Sequence, residues 1–225
     1  MKKKFLFLMA LLAVSLLALA EMTVYVYKKD GTKIPYIAST VDSIGFVDVN
    51  IFADGHEWVD LGLPSGTKWA TCNVGANSPE DYGDYFAWGE TQPKGYYTKD
   101  SYNYNYTSNP TTLSLYKDAA YTNWGIYWRM PTRAELEELI DNCTWNWTTQ
   151  NGVKGYKVTS RTNGNSIFLP AAGFRREHDV SGAGSGGDYW TSSQGCSSLS
   201  FHSGDAFISG GSCYWGYSVR PVLRE

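Results

Sequence analysis

An α+β fold, dominated by short strands and carrying one clear helix, is predicted by three observations. Aromatic residues make up 16% of the 225, with 17 Tyr and 9 Trp, and 23 Gly accompany them. Many aromatics with many glycines suit a loop-rich β protein better than a helical bundle. Short alternating runs recur beside turn dipeptides such as Asp30-Gly31 and Asn163-Gly164, the signature of hairpins. Only the stretch from Thr132 to Cys143 combines a helix-start signal with a helical apolar period. At 43% hydrophobic and 18% charged, the chain can bury a sizeable core, and its length suits one domain with a small appendage.

The N-terminus is expected to be a secretory signal peptide, residues 1–20. Lys2, Lys3 and Lys4 precede an apolar run from Phe5 to Leu19, and Ala18-Leu19-Ala20 fits the small-x-small cleavage rule. The run is short of the ~18–20 residues that a membrane span needs, so no transmembrane segment is expected. Cleavage would remove three lysines and no acid, taking the formal charge from −3 to −6. An exported protein, extracellular, at the cell surface or periplasmic, is the expectation. No cysteine stands at the cleavage site, so the common bacterial lipid anchor is not indicated.

Residues 21–50 read as a β-hairpin appendage. Thr23-Val-Tyr-Val-Tyr27 alternates, Asp30-Gly31 supplies the turn, and Lys33-Ile-Pro-Tyr-Ile37 returns, with Pro35 suited to an edge strand. Val41 to Val47 would add another short strand. The main domain, residues 51–225, opens with a buried strand over Lys68–Val74, between Pro64-Ser-Gly66 and Gly75. Asp81 to Gly89 reads as a packed loop with a short strand. Thr91 to Pro110, with Tyr102-Asn-Tyr-Asn-Tyr106, reads as a long surface excursion packed on itself; a sugar-binding face is the less favoured reading.

The helix is the most specific local signal. Thr132-Arg-Ala-Glu135 is a capping box, in which the Thr hydroxyl accepts from a free backbone N–H while Glu reaches back. Leu136, Leu139, Ile140 and Cys143 then fall at i, i+3, i+4 and i+7, one apolar stripe. The cap and a solvated face account for Glu135, Glu137 and Glu138 without a catalytic role. Beyond it, Trp145 and Trp147 share one face of a strand. Tyr156–Ser160 and Ser166–Leu169 flank Asn163-Gly164 as a second hairpin.

The last stretch is of a different character. Trp190 and Tyr217-Ser-Val-Arg-Pro-Val222 look like framework, whereas between them Ser, Gly, Cys, His, Asp, Phe and Tyr follow with little regard for period or size. Rigid ends around an irregular, small-and-aromatic centre are the composition of a paratope. An ordinary Ser/Gly-rich surface loop has the same composition.

Several landmarks in one order carry a resemblance. They are Trp58-Val-Asp-Leu-Gly-Leu-Pro-Ser-Gly-Thr-Lys-Trp-Ala-Thr-Cys-Asn-Val-Gly-Ala76, Tyr82-Gly-Asp-Tyr-Phe-Ala-Trp-Gly-Glu90 and Trp128-Arg-Met-Pro-Thr-Arg-Ala-Glu-Leu-Glu-Glu-Leu139. Ser166-Ile-Phe-Leu-Pro-Ala-Ala-Gly173, Tyr189-Trp-Thr-Ser-Ser193 and Gly216-Tyr-Ser-Val-Arg-Pro-Val222 complete the set. In these the chain resembles the Fibrobacter succinogenes major paralogous domain family of Bacteroidetes surface proteins. The resemblance implies a C-type-lectin-like domain, related in architecture to the formylglycine-generating enzymes. An ending of this kind further resembles the variable proteins of diversity-generating retroelements, in which adenine-directed mutagenesis rewrites chosen codons of the last segment.

On that resemblance, residues 174–215 are the variable ligand-binding segment, taking protein or glycan ligands on other cells or on phage. Adenine-directed changes to Asn-type codons yield Ser, Gly, His, Asp, Phe, Tyr or Cys, but not Trp, Gln, Lys, Glu or Met. Glu177, Gln194 and Trp215 are therefore framework or arise from other template codons. The candidate contacts are His178, Asp188, Cys196, Ser198, Ser200, His202, Asp205, Phe207, Ser209, Cys213 and Tyr214, with Trp215 as a fixed aromatic anchor. From Ser198 to His202 the candidates alternate, so a strand would set them on one face.

Four cysteines in an exported chain invite pairing. Cys72 and Cys143 lie in framework landmarks; they would pair with each other or remain buried thiols that act as small hydrophobes. Cys196 and Cys213 would staple the irregular segment or be products of diversification. No Cys-x-x-Cys, Gly-x-Ser-x-Gly, P-loop or His-Glu-x-x-His occurs, and His56, His178 and His202 are scattered. The Glu-Pro-Asn and Trp-Asn-Asp triplets of calcium-binding lectins are absent too. No enzyme activity, metal or cofactor is expected, and no Lys/Arg run after the first residues suggests a nucleic-acid partner. A non-enzymatic binding protein is the leading reading. A fixed-specificity surface adhesin or pilus-associated module is the alternative, and a formylglycine-generating-like enzyme the least favoured.

Overall fold

The computed structural model describes residues 23–27, 33–37, 52–53, 55–104 and 111–224. The chain divides into two units, residues 1–48 and 49–225. In the first, β1 (Thr23–Tyr27) and β2 (Lys33–Ile37) pair antiparallel with Thr23 opposite Ile37, and Pro35 is exposed. The apolar run of residues 1–20, the Asp30-Gly31 turn and the strand expected over Val41–Val47 lie outside the described residues.

The second unit is mostly β-sheet with few helices. Five strands form its first sheet, in the order β3 (Phe52–Ala53), β4 (His56–Asp60), β5 (Lys68–Ala70), β15 (Val222–Leu223) and β6 (Trp128–Arg129). The C-terminal strand β15 thus lies between β5 and β6, with Val222 opposite both Trp69 and Arg129. The expected strand over 68–74 is shorter than its apolar run, ending at Ala70. Its continuation is held by the buried Arg220, whose guanidinium donates to the carbonyls of Ala70 (3.1 Å), Thr71 (2.6 Å) and Phe168 (2.9 Å), while Nε donates to Asn73 Oδ1 (2.9 Å). A buried guanidinium is tolerable only when its donors are matched in this way.

A short helix α1 (Ala119–Trp124) is capped by Asp118, and α2 (Arg133–Asn142) by the expected capping box, in which Thr132 accepts from Glu135 N while the Glu135 carboxylate accepts from Thr132 N. The helix stops at Asn142. Cys143, expected as the last member of its apolar stripe, is already extended, but remains buried as the first residue of β7 (Cys143–Gln150). Glu135 also receives two hydrogen bonds from Arg129 (2.8 and 2.6 Å). Burial alone would raise this carboxyl, yet the Arg129 and Thr132 bonds hold it down at about 2.

Strands β7, β8 (Val153–Ser160) and β9 (Ser166–Pro170) form an antiparallel meander, with Gly164 at φ 79° in the expected Asn-Gly turn. Trp145 and Trp147 project from one side of β7, edge-on to the Tyr156 ring. A hairpin of β10 (Phe174–Arg176) and β11 (Asp179–Ser181) precedes the last sheet, β12 (Gly186–Trp190), β13 (Ser197–His202) and β14 (Asp205–Gly210). Gly173, at φ 62°, admits that hairpin: a Cβ there would stand 2.1 Å from Ser181 O.

Two cores result. One joins Leu136 and Leu139 of α2 to Tyr156, Val158, Ile167, Leu169, Tyr189, Leu199 and Phe201. The other gathers Trp88, Trp124, Trp128, Trp190, Tyr217 and Val219. Burying each such side chain contributes about 1.5–3 kcal/mol before the cost of ordering it. Of the two readings of Cys72 and Cys143, pairing with each other or remaining thiols, the pairing is not made. Cys143 belongs to the first core and Cys72 packs against the second, so the two thiols are free.

Tyr97, in the expected surface excursion, is buried and donates to Tyr85 O, and Tyr102 donates to Trp88 O (2.7 Å). As far as the described residues run, this stretch packs on the domain and uses its tyrosines to do so.

Candidate functional site

Antiparallel pairing sets directly opposed residues on the same side of a sheet, and side chains alternate sides along each strand. In the C-terminal sheet, Asp188 stands opposite Ser200 and Ser200 opposite Phe207; His202 stands opposite Gly186 and Asp205; Ser198 stands opposite Trp190 and Ser209. All seven residues expected as contacts on these strands therefore share one face. The other face carries Tyr189, Leu199 and Phe201, which are buried in the first core, with Ala206 and Ile208 packed against it. Alternation that is irregular to the eye is thus regular in the fold: every second residue anchors and the residue between looks outward.

The outward face is not uniformly open. At one end Trp190 is buried and stacks on Tyr217 with ring centroids 4.0 Å apart. Beneath this cover Ser198, expected as a contact, is 1% exposed and its hydroxyl has no hydrogen-bond partner. It cannot meet a ligand without rearrangement. Cys196, also expected as a contact, is buried as well and forms a disulfide with Cys213. The pairing that forms is therefore the staple within the irregular segment. It closes the loops that flank the sheet, and Gly211 N–H donates to Cys196 O (3.1 Å) beside it.

At the opposite end the face opens to solvent. His202, Asp205 and Phe207 are exposed, and Ser200 and Ser209 are half-buried. Gly204 N–H donates to His202 Nδ1 (3.3 Å), which fixes the other ring nitrogen as the proton carrier of the neutral imidazole. Asp188 sits in a recess between these ends. Its carboxylate accepts from Ser200 Oγ, and burial pushes its pKa up, opposed in part by that hydrogen bond. Burial also raises the Tyr217 phenol, and the negative charge of Asp188 nearby adds to the shift.

The remaining candidates lie around the β10–β11 hairpin. His178, at its exposed tip beside Glu177 (φ 55°), contacts Gly95 O through Nδ1 (3.2 Å), its ring 4.4 Å from that of Tyr96. Trp215 stacks on Phe174 at 5.2 Å. Tyr214 and Trp215 line a cleft of about 280 Å³ with Tyr97, Lys99, Arg176 and Glu177. The strand register joins Asp188, Ser200, His202, Asp205, Phe207 and Ser209; His178 and Tyr214 stand outside that sheet.

Sequence reasoning missed two things here. The cover over Ser198 depends on Trp190 and Tyr217 meeting across a parallel bridge between Tyr189 and Ser218, a contact that no local pattern announces. The recess at Asp188 follows from the same cover. No group of three or more His, Cys, Asp or Glu among the described residues could hold a metal ion, and no described helix is long and apolar enough to cross a membrane. No protein family matches the chain, and neither a curated protein nor a solved structure does.

Proposed function

We propose that this is an exported ligand-binding protein that displays a diversified C-terminal segment on a C-type-lectin-like domain, without enzymatic activity or cofactor. The observation that carries the reading is the strand register: Asp188, Ser200, His202, Asp205, Phe207 and Ser209 share one outward face, while the residues between them anchor the same strands in the core. Such a face can change its chemistry without touching what holds it. The lectin-like fold is supported by the order of the sequence landmarks across residues 58–222 and by a mostly β unit with one well-capped helix. Export is supported by the composition of residues 1–20, and a disulfide suits an oxidising compartment. Protein or glycan ligands at a surface are the partners this reading implies.

Sequencing the 3′ end of the gene in many cells, with its flanking DNA, tests it. Diversification predicts a near-copy of the tail beside a reverse transcriptase gene. It further predicts substitutions confined to template adenines and concentrated at the outward positions. An invariant tail with no template nearby would sink the reading and leave a fixed-specificity surface adhesin of the same fold.

A further inference from the structure

The charge of the chain is distributed unevenly. From residue 177 to residue 219 there are four acids (Glu177, Asp179, Asp188 and Asp205) and neither lysine nor arginine, although the whole chain carries 19 basic residues against 22 acidic. Two of these acids, Asp188 and Asp205, stand on the outward face of β12–β14, and no lysine or arginine lies on those three strands. Asp188 is the telling residue. It is half-buried, and a carboxylate moved out of water is ordinarily matched by a cation or several donors. Here Ser200 Oγ is the donor to one oxygen, and none of the hydrogen bonds or ion pairs of the described residues engages the other. Its pKa is shifted by burial and by the Ser200 bond, with no charged neighbour contributing.

Across the same row of the sheet, two strand spacings or about 10 Å from Asp188, stands Phe207, 42% exposed. An aromatic face, a hydroxyl and a recessed carboxylate in one line fit a long side chain with an apolar stem and a positive head. In the next row stands the exposed Asp205, a second carboxylate. We propose that this face recognises an arginine or lysine side chain presented by a partner protein, the head paired with Asp188 and the stem lying against Phe207. The proposal rests on the display reading of the same face and gives this particular chain its ligand chemistry. Nucleic acids and anionic membranes, which present phosphates, are disfavoured by the same charge.

The test pans a random-peptide display library on the immobilised full chain, then titrates the enriched peptides calorimetrically against wild type, Asp188→Asn, Asp205→Asn and Phe207→Ala. Enriched peptides sharing a basic residue, bound more than about tenfold more weakly by Asp188→Asn and less severely weakened by Asp205→Asn, are the expected result. The Asn variant keeps the shape of the Ser200 contact. Should it fail to fold, the exposed Asp205 and Phe207 variants still read the face. Peptides that depend on Phe207 but carry no basic residue, or ignore Asp188→Asn, would overturn the cation chemistry while leaving the display face intact. If no enriched peptide responds to any of the three substitutions, both proposals fall.

Discussion

The two faces of the β12–β14 sheet are made from the same strands and belong to different worlds. Leu199 and Phe201 face inward and are 0% and 4% exposed; Ser200 and His202, their immediate neighbours in sequence, face outward. The inward set is constrained by close packing, where loss of a few methylenes leaves a cavity that the surroundings cannot refill. On the outward side only the end at Ser198 and Trp190 is packed in this way; His202, Asp205 and Phe207 are exposed. A strand thus separates packed from solvent-facing positions at a spacing of one residue.

This separation can be broken deliberately. The largest effect is expected from Phe201→Ala, which removes a ring packed near Trp145, Trp147, Tyr156 and Tyr189. A loss of about 3–5 kcal/mol in denaturant unfolding is the expected outcome. Next is the staple. Replacing Cys196 and Cys213 together by Ala opens a closure spanning 17 residues and should cost about 3 kcal/mol in the chain-entropy account, read as a lower unfolding midpoint than wild type under non-reducing conditions. If the double variant unfolds at the wild-type midpoint, the loop is held by its packing alone.

A third test sets the framework against pH. Asp118, which caps α1 and accepts from Met130 N, has its pKa pushed up to about 6 by burial, so its contribution is fully present below the unfolded value of 3.8 and is lost as pH rises through 6. Glu135, held at about 2, contributes above its unfolded value of 4.5 and loses that contribution as pH falls toward 2. Thermal unfolding across pH should therefore show Asp118→Asn flattening the decline as pH rises from 3.8 to about 6 and Glu135→Gln flattening the decline as pH falls from 4.5 to about 2. Asp188 on the outward face is also raised by burial, so its contribution is lost in the same direction as that of Asp118. The smallest effect sharpens the comparison most: His202→Ala, Asp205→Asn and Phe207→Ala should each shift stability by no more than about 0.5 kcal/mol. A larger loss at any of them, measured by the same unfolding, would show that the outward face also supports the fold.

What could be read in advance follows the range of the interactions. The α2 cap is a contact between Thr132 and Glu135, three residues apart, and the β8–β9 turn is set by Asn163-Gly164; both were legible because they are local. The alternation of Ser198, Ser200 and His202 was legible because period two survives in any strand. The Cys196–Cys213 staple was legible only as one of two readings of those cysteines, since four cysteines offer three pairings and three-dimensional contact decides among them. The burial of Ser198, which rests on Trp190 meeting Tyr217, was not legible, nor was the role of Arg220, whose carbonyl partners lie up to 150 residues away. Composition found the segment; only three-dimensional contact separates its covered end from its open one.

The position of β15 has a consequence for biosynthesis. Val222 and Leu223 fill the gap between two strands made much earlier, so β5 and β6 have no partner between them until residue 222 has been translated. Any frameshift or premature stop arising upstream, including in the segment proposed to be rewritten, deletes the piece that closes the first sheet. The defective product would remain open and prone to proteolysis. The order of synthesis thereby sets a check on the reading frame: only a chain translated through Leu223 can close the first sheet.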